Sequence, residues 1–169
     1  QLKFGIYNGY GVNKDKLKDL IMFYSSTEKK LVTLKEYVSR IKEKQDKIYY
    51  ACGETTDKID LLPQVEAVKD KGFEILYLTE YVDEFALQVL MEYDKKQFVN
   101  ISSENIDLET EEEKEELKKN NEDNKEMFNI MKDVLKDQVK DIRFTKRLKN
   151  HPVCLTSEGQ VSIEMEKVI

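Results

Sequence analysis

The stretch Lys47-Ile-Tyr-Tyr-Ala-Cys-Gly53 predicts a short buried strand that ends at a glycine. A second apolar run, Phe73-Glu-Ile-Leu-Tyr-Leu78, predicts a stronger strand, and residues 97–101 predict a third. Between these runs, residues 60–71 and 80–93 have the spacing and end signals of helices. Strands and helices that alternate in this way predict a small parallel βαβαβ sheet with right-handed crossovers.

Two further helices are predicted before this sheet. Residues 13–25 carry apolar side chains at the spacing of one helical face, namely Leu17, Leu20, Ile21 and Tyr24. Thr33 and Glu36 form a T-x-x-E capping box, which predicts that a second helix begins at residue 33. The first part of the chain is therefore predicted to be an α/β unit with preceding helices.

A strongly acidic segment follows the third predicted strand. Residues 104–116 contain eight acids and one lysine, a net charge of −7, which leaves the rest of the chain near +1. Such a run is typical of a solvated linker or helix start, and less often of a docking site for a basic partner. Thr110 and Glu113 form another capping box, so we expect a long helix here. Two extended pieces, residues 140–145 and 153–156, complete a predicted α+β portion with short strands.

The last residues predict an amphipathic helix with an apolar face. That face is formed by Val161, Met165, Val168 and Ile169. It fits ordinary core packing, and it also fits an exposed surface that holds non-native chains, for which a flexible Met suits varied partners. The pattern stops without a cap and the chain starts abruptly at Gln1, so we expect a piece of a longer protein.

Composition and cysteine usage favour a cytoplasmic protein. No apolar run approaches the roughly 20 residues that span a bilayer, and the mean hydropathy is −0.64. Cys52 and Cys154 lie far apart and outside any C-x-x-C spacing, which is typical of a reducing compartment. The chain has no basic stripe with interleaved aromatic residues. We therefore expect neither nucleic acid nor a membrane as partner.

The sequence carries no motif that predicts a catalytic, cofactor or metal site. His151 is the only histidine and stands in no zinc-binding pattern. The turn after the first strand contains Gly53, but it carries Glu54 and Asp57 instead of a glycine-rich phosphate motif. Two alternatives remain open on the residues alone. One is an enzyme with a doubly wound fold that uses the turn at Gly53, and the other is a structural spacer whose apolar stripes are all internal.

Seven blocks of the chain, in order, match the signature segments of a known family. They are residues 36–55, 72–85, 90–94, 134–143, 147–148, 152–156 and 162–168. These blocks resemble the heat shock protein 90 chaperones, and in particular their bacterial HtpG type. Several spaced blocks in the correct order make this resemblance specific, unlike one short motif.

The resemblance implies a domain organisation and a function. Residues 1–102 would be the C-terminal part of the family's middle domain, and residues 103–169 a linker helix and the start of its C-terminal domain. The family members are homodimeric, ATP-driven chaperones that bind unfolded or partly folded client proteins. Their ATP and Mg site and their dimer helices would lie outside this piece. We therefore expect no cofactor and no catalytic residue within it.

The resemblance also implies a client-binding surface. By motif it falls on Glu84 and Phe85, and on Val161, Met165 and Val168 of the final helix. Phe85 stands where bacterial members usually have Trp, which keeps the aromatic face and loses the indole N–H. Val161 stands where they have a longer apolar side chain. At about 25 cal/mol per Å² of apolar burial, the smaller side chain at each position weakens client binding by at most about 1 kcal/mol. We therefore expect the surface to be retained.

Overall fold

The computed structural model describes residues 1–8, 11–42, 45–103, 111–146, 148 and 150–156. Its core is a mixed six-stranded sheet that lies between helices in the first 103 residues. In chain order the elements are α1 (Leu2–Asn8), α2 (Lys14–Leu17), β1 (Met22–Ser25), β2 (Leu31–Thr33), α3 (Leu34–Ser39), β3 (Ile48–Cys52), α4 (Thr56–Asp60), α5 (Pro63–Asp70), β4 (Ile75–Leu78), α6 (Tyr81–Leu90), β5 (Glu92–Tyr93), β6 (Lys96–Asn100), α7 (Glu111–Asp123), α8 (Lys125–Leu135) and a 3₁₀ turn (Lys136–Gln138).

The sheet has the strand order β2-β1-β4-β3-β6-β5. Its centre is parallel, since β3 pairs in parallel with both β4 and β6, and this confirms the predicted βαβαβ unit. The outer strands are antiparallel: β1 pairs with β2 and with β4, and β5 pairs with β6. The fold is therefore α/β, with antiparallel strands added on both sides of a parallel centre.

The central strands are buried on both faces, which explains their unbroken apolar sequence. In β3, Ile48 and Tyr50 join one core cluster, and Tyr49 and Ala51 join the other. The first cluster also contains buried side chains of α1 and α6, and the second contains those of α4 and α5. Helices therefore cover both faces of the sheet.

The two crossover connections leave the sheet toward opposite faces. After β3 the chain enters α4 and α5, whereas after the neighbouring strand β4 it enters α6 on the other face. Adjacent parallel strands whose exits diverge in this way leave a crevice beyond their carboxyl ends, where α/β proteins bind their ligands. This crevice positions the site described below.

The predicted helix over residues 13–25 is wrong. Only α2 (Lys14–Leu17) is helical there, and Met22–Ser25 form β1. These residues form a strand because β1 pairs with both β2 and β4. The side chains of Phe23 and Ser25, two residues apart, both point into the core, as the alternation of a strand requires. Leu20, which the helical interpretation places on the apolar face, is exposed.

Two helix boundaries also differ from the prediction. The predicted helix 60–71 is split into α4 and α5, because Pro63 occupies the first turn of α5, where its missing N–H costs nothing. The predicted helix 80–93 ends at Leu90, and β5 follows it. Asp94 and Lys95 both have positive φ angles, which is the geometry of a tight hairpin turn into β6.

The segment after Thr110 is helical as predicted, but the single long helix is interrupted at Asn124 and forms two consecutive helices, α7 and α8. The extended pieces at residues 140–145 and 153–156 form no strand in the described part of the chain. The first is instead held by side chains, since Phe144 N donates to Asn121 Oδ1 at 2.7 Å and the rings of Phe128 and Phe144 pack edge to face. Thr110 and the predicted final helix lie outside the described residues.

A buried polar network ties β4 to the β1–β2 hairpin and to α3. The Glu74 carboxylate accepts a hydrogen bond from Ser25 Oγ at 2.5 Å. It also accepts from Arg40 Nη2 at 2.7 Å and from Arg40 Nε at 3.0 Å. A bidentate pair of this kind fixes orientation as well as distance.

Tyr37 forms the second half of this network. Its hydroxyl donates to the backbone oxygen of Glu74 at 2.7 Å, and it accepts from Gln45 Nε2 at 2.9 Å and from Tyr49 N at 3.1 Å. Burial raises the pKa of Tyr37 well above its usual range. The hydroxyl therefore stays protonated and joins α3 to the beginnings of β3 and β4.

The capping box at the start of α3 is confirmed. Thr33 Oγ1 accepts from Glu36 N at 3.2 Å, and Glu36 Oε2 accepts from Thr33 N at 2.7 Å. These hydrogen bonds from Thr33 lower the pKa of Glu36. Replacing Thr33 with Ala should lower the free energy of unfolding by about 1 kcal/mol, measured by urea denaturation. Exposed Thr27→Ala is the matched control, and equal effects of the two substitutions would contradict the capping role.

Candidate functional site

Helix α6 supplies the two site residues that the resemblance places in the described part of the chain. Six of its ten residues are buried: Val82, Asp83, Glu84, Ala86, Leu87 and Leu90. The outward side carries Tyr81, Phe85 and Gln88, which follow one another at helical spacing. A helix that is otherwise buried therefore presents two aromatic rings at its surface.

Helix α1 packs beside α6 and is fixed to it by a buried ion pair. Lys3 Nζ lies 2.5 Å from Asp83 Oδ1 and 4.6 Å from the centre of the Phe23 ring. Burial raises the pKa of Asp83, and the nearby Lys3 opposes that rise. A Cβ at Gly5 would lie 3.1 Å from Leu17 Cδ1, so a glycine there allows α2 to approach α1 closely.

The two helices together form an aromatic strip, which we define as Phe4, Tyr7, Tyr81 and Phe85. The rings of Tyr7 and Phe85 lie 5.1 Å apart and join the helices. Phe4 is one turn from Tyr7, and Tyr81 is one turn from Phe85. Phe4, Tyr7 and Tyr81 are 53%, 43% and 62% exposed, and Phe85 is half-buried.

An acidic cavity adjoins the strip in the crevice beyond β3 and β4. It has a volume of about 190 Å³ and is lined by Cys52, Gly53, Glu54, Leu78, Thr79, Glu80, Tyr81 and Glu84. Tyr81 thus belongs to both the strip and the cavity. Three carboxylates line this space, so it repels phosphate, and it does not fit a nucleotide or the small anionic ligand of the doubly wound enzyme alternative.

Glu84 is held beneath the surface rather than presented on it. It is 2% exposed, and its Oε1 accepts from the Tyr50 hydroxyl and from Asn100 Nδ2, each at 3.3 Å. Burial, and next the charge of Glu84, raise the pKa of Tyr50 well above its usual range. In this arrangement Glu84 supplies negative charge to the cavity, while its neighbour Phe85 faces outward.

The structure brings Glu84 and Phe85 together with α1, a helix that the sequence did not predict. The sequence of residues 1–8 does not predict a helix, because Gly5 interrupts it and its apolar residues Leu2, Phe4 and Ile6 alternate as in a strand. Phe4 and Tyr7 were therefore missed. The other site residues, Val161, Met165 and Val168, lie outside the described residues.

The described residues contain neither a metal-binding group nor a membrane span. Within these ranges, no three His, Cys, Asp or Glu side chains form a group that could hold a metal ion. No helix in the part of the chain that the structure describes is both long enough and apolar enough to cross a membrane.

Comparison with known proteins assigns the family. The family model described as Hsp90 protein matches residues 1–169. The chain belongs to the Hsp90 family. This confirms the resemblance that the seven sequence blocks indicate.

Bacterial members of the family are similar to the chain along its whole length. The chain is 56% identical to chaperone protein HtpG of Clostridium botulinum strain 657, 53% identical to that of Bacillus subtilis strain 168, and 58% identical to that of Oceanobacillus iheyensis. Each similarity covers 100% of this chain and 27% of the relative. The chain therefore spans about a quarter of the length of these relatives.

A solved structure supports the fold independently of these relatives. The middle domain of a Plasmodium falciparum heat shock protein is similar, with a TM-score of 0.55 and 29% sequence identity. The similarity covers 59% of this chain and 42% of that chain. It agrees with an α/β fold of the Hsp90 middle-domain kind.

Proposed function

We propose that this chain is the part of an HtpG-type chaperone that holds unfolded or partly folded client proteins on the aromatic strip. The observation that carries the proposal is the strip itself, in which α1 and α6 each present two aromatic side chains and the Tyr7–Phe85 ring contact joins the two helices. Contiguous exposed apolar patches are uncommon on soluble domains and mark interaction sites. Aromatic anchors dominate binding free energies at such sites.

The size of the strip favours weak and adaptable binding. Covering about 100 Å² of a ring contributes about 2.5 kcal/mol to the binding free energy at about 25 cal/mol per Å². Association costs about 4–15 kcal/mol in translational and rotational freedom. One ring is therefore not enough, whereas several rings that are covered together support reversible capture.

The remaining functions belong to the whole protein in this proposal. Residues 1–102 would be the C-terminal part of the middle domain, and residues 103–169 a linker helix and the start of the C-terminal domain. The parent protein would be a cytoplasmic homodimer that binds ATP and Mg outside this piece. Val161, Met165 and Val168 would add a second apolar surface for the same clients, with Glu84 shaping the first.

A titration with a permanently unfolded model protein tests the client surface. The unfolded protein is labelled with a fluorophore, and its anisotropy is followed as the chain is added. We expect saturable binding that becomes at least about fivefold weaker when Tyr81 and Phe85 are both replaced by Ala, because hot-spot truncations cost more than about 1 kcal/mol. Circular dichroism verifies that the variant stays folded.

Leu61→Ala is the matched control, since Leu61 is 76% exposed and lies on the α4–α5 face of the sheet. It removes exposed apolar area without touching the strip, and binding should not change. If binding were equally strong in all three proteins, the strip would not be the client surface. If the unmodified chain did not bind at all, the structural spacer alternative would be favoured.

A further inference from the structure

We infer that the client segment held on the aromatic strip carries a Lys or Arg side chain that enters the acidic cavity. This inference rests on the proposed function and adds a chemical preference to it. The partner is thus an extended polypeptide segment that is apolar and basic, rather than apolar alone. The preference follows from the contact between the two surfaces, from their charge and from their spacing.

The strip and the cavity are one continuous surface. Tyr81 lines the cavity and lies one helical turn before Phe85, whose ring contacts Tyr7. Glu84 also lines the cavity and precedes Phe85 in sequence. A chain that covers Phe85 and Tyr81 must therefore pass over the mouth of the cavity.

The acidic lining of the cavity favours a positively charged side chain on the partner. Glu54, Glu80 and Glu84 contribute three carboxylates, and the described residues that line the cavity include no Lys or Arg. Lys58, which pairs with Glu54, lies outside the lining, so the charged side chains that line the cavity are all acids. The exposed Tyr81 ring adds a face over which a cation is attracted. An acidic client side chain would be repelled from the same place.

The spacing of the surface matches an extended chain. One helical turn separates Tyr81 from Phe85, which is about 6 Å along the axis. In an extended segment, side chains two residues apart point the same way and are separated by about 7 Å. When an apolar residue of the client covers Phe85 and Tyr7, the client residue two positions away therefore lies at the cavity. The preferred pattern is an apolar residue, any residue, and then a basic residue, in either chain direction.

Three labelled peptides test this preference. Each has the centre Leu-Ser-X-Ser-Leu within the same polar frame of about eleven residues, with X as Lys, Gln or Glu. The flanking leucines make the test independent of chain direction. We expect the Lys peptide to bind the 169-residue chain at least about fivefold more tightly than the Glu peptide, with the Gln peptide between them, as two partly exposed charge contacts would give.

A charge-neutralising variant locates the effect. Glu54→Gln/Glu80→Gln removes two charges at the cavity, and the amide that replaces the Glu80 carboxylate keeps an oxygen acceptor for the start of α6. We expect the preference for Lys over Glu to fall to about twofold or less in this variant. Glu28→Gln/Glu92→Gln removes two exposed acids elsewhere and should keep the full preference. Raising the salt from about 0.05 to 0.5 M should also weaken the preference, since screening lengths shorten.

The outcomes separate this inference from the function on which it rests. Equal binding of the three peptides, lost when Tyr81 and Phe85 become Ala, would overturn the basic preference and leave the client surface standing. A preference that both double variants retain would place the basic side chain elsewhere and overturn the inference. Failure of all three peptides to bind, together with failure of the unfolded protein, would overturn the proposed function as well.

Discussion

Replacing Tyr37 with Phe should lower the free energy of unfolding by about 2–4 kcal/mol, because it removes three hydrogen bonds in the interior. The Tyr37 hydroxyl donates to the Glu74 carbonyl oxygen and accepts from Gln45 Nε2 and Tyr49 N, all in the interior. Phe fills the same volume, so the loss is one of hydrogen bonding rather than of packing. Urea denaturation monitored by circular dichroism gives the change directly, provided that the slope with denaturant stays constant.

Tyr81→Phe is the matched control for this substitution. The Tyr81 side chain is exposed, so water replaces any hydrogen bond of its hydroxyl, and the change should stay within about 0.5 kcal/mol. If the two Tyr→Phe variants were equally stable, the Tyr37 hydroxyl would not join α3 to β3 and β4 in solution.

Replacing Leu87 with Ala should lower the free energy of unfolding by about 2–5 kcal/mol, because it leaves a cavity in the core. Leu87 is 1% exposed and lies in the core cluster that packs α1 and α6 against the sheet. Its side chain faces away from the aromatic strip, on the opposite side of the same helix from Tyr81 and Phe85. The same denaturation experiment measures the effect.

Leu61→Ala again provides the comparison, since it removes the same atoms from an exposed position. Its effect should be within about 0.5 kcal/mol. A Leu87→Ala variant that is as stable as Leu61→Ala would show that α6 is not packed on the sheet as described. While Leu87→Ala stays folded, its client binding should be little changed, because the strip keeps all four of its rings.

The parallel centre of the sheet was predictable because strands that are buried on both faces have unbroken apolar sequences. Residues 48–52 and 75–78 must be apolar at every position, and such runs stand out in an otherwise charged chain. The β1 strand has no such unbroken apolar run. Residues 13–25 satisfy a helical spacing as well as an alternating one, and only pairing with β2 and β4 decides between them. Those partners are set by tertiary structure and not by local pattern.

The candidate site was predictable only in part, and for a similar reason. Glu84 and Phe85 were placed by resemblance to a family, since nothing in their own spacing distinguishes them from ordinary helix residues. The contribution of Tyr7 depends on a contact between residues that are far apart in the chain. The burial of Glu84 depends on Tyr50 and Asn100, which come from two different strands. Local sequence carries no information about either contact.

The outermost strands determine whether the sheet itself can pair with other chains. The sheet ends in β2, with three residues, and in β5, with two. A long open strand offers a row of unpaired amide and carbonyl groups on which another chain can grow as fibrils do. Edges this short offer almost none, and Lys29, Lys30, Lys95 and Lys96 add charge beside them. Edges of this kind protect the sheet from becoming a template on which other chains pair as they do in fibrils.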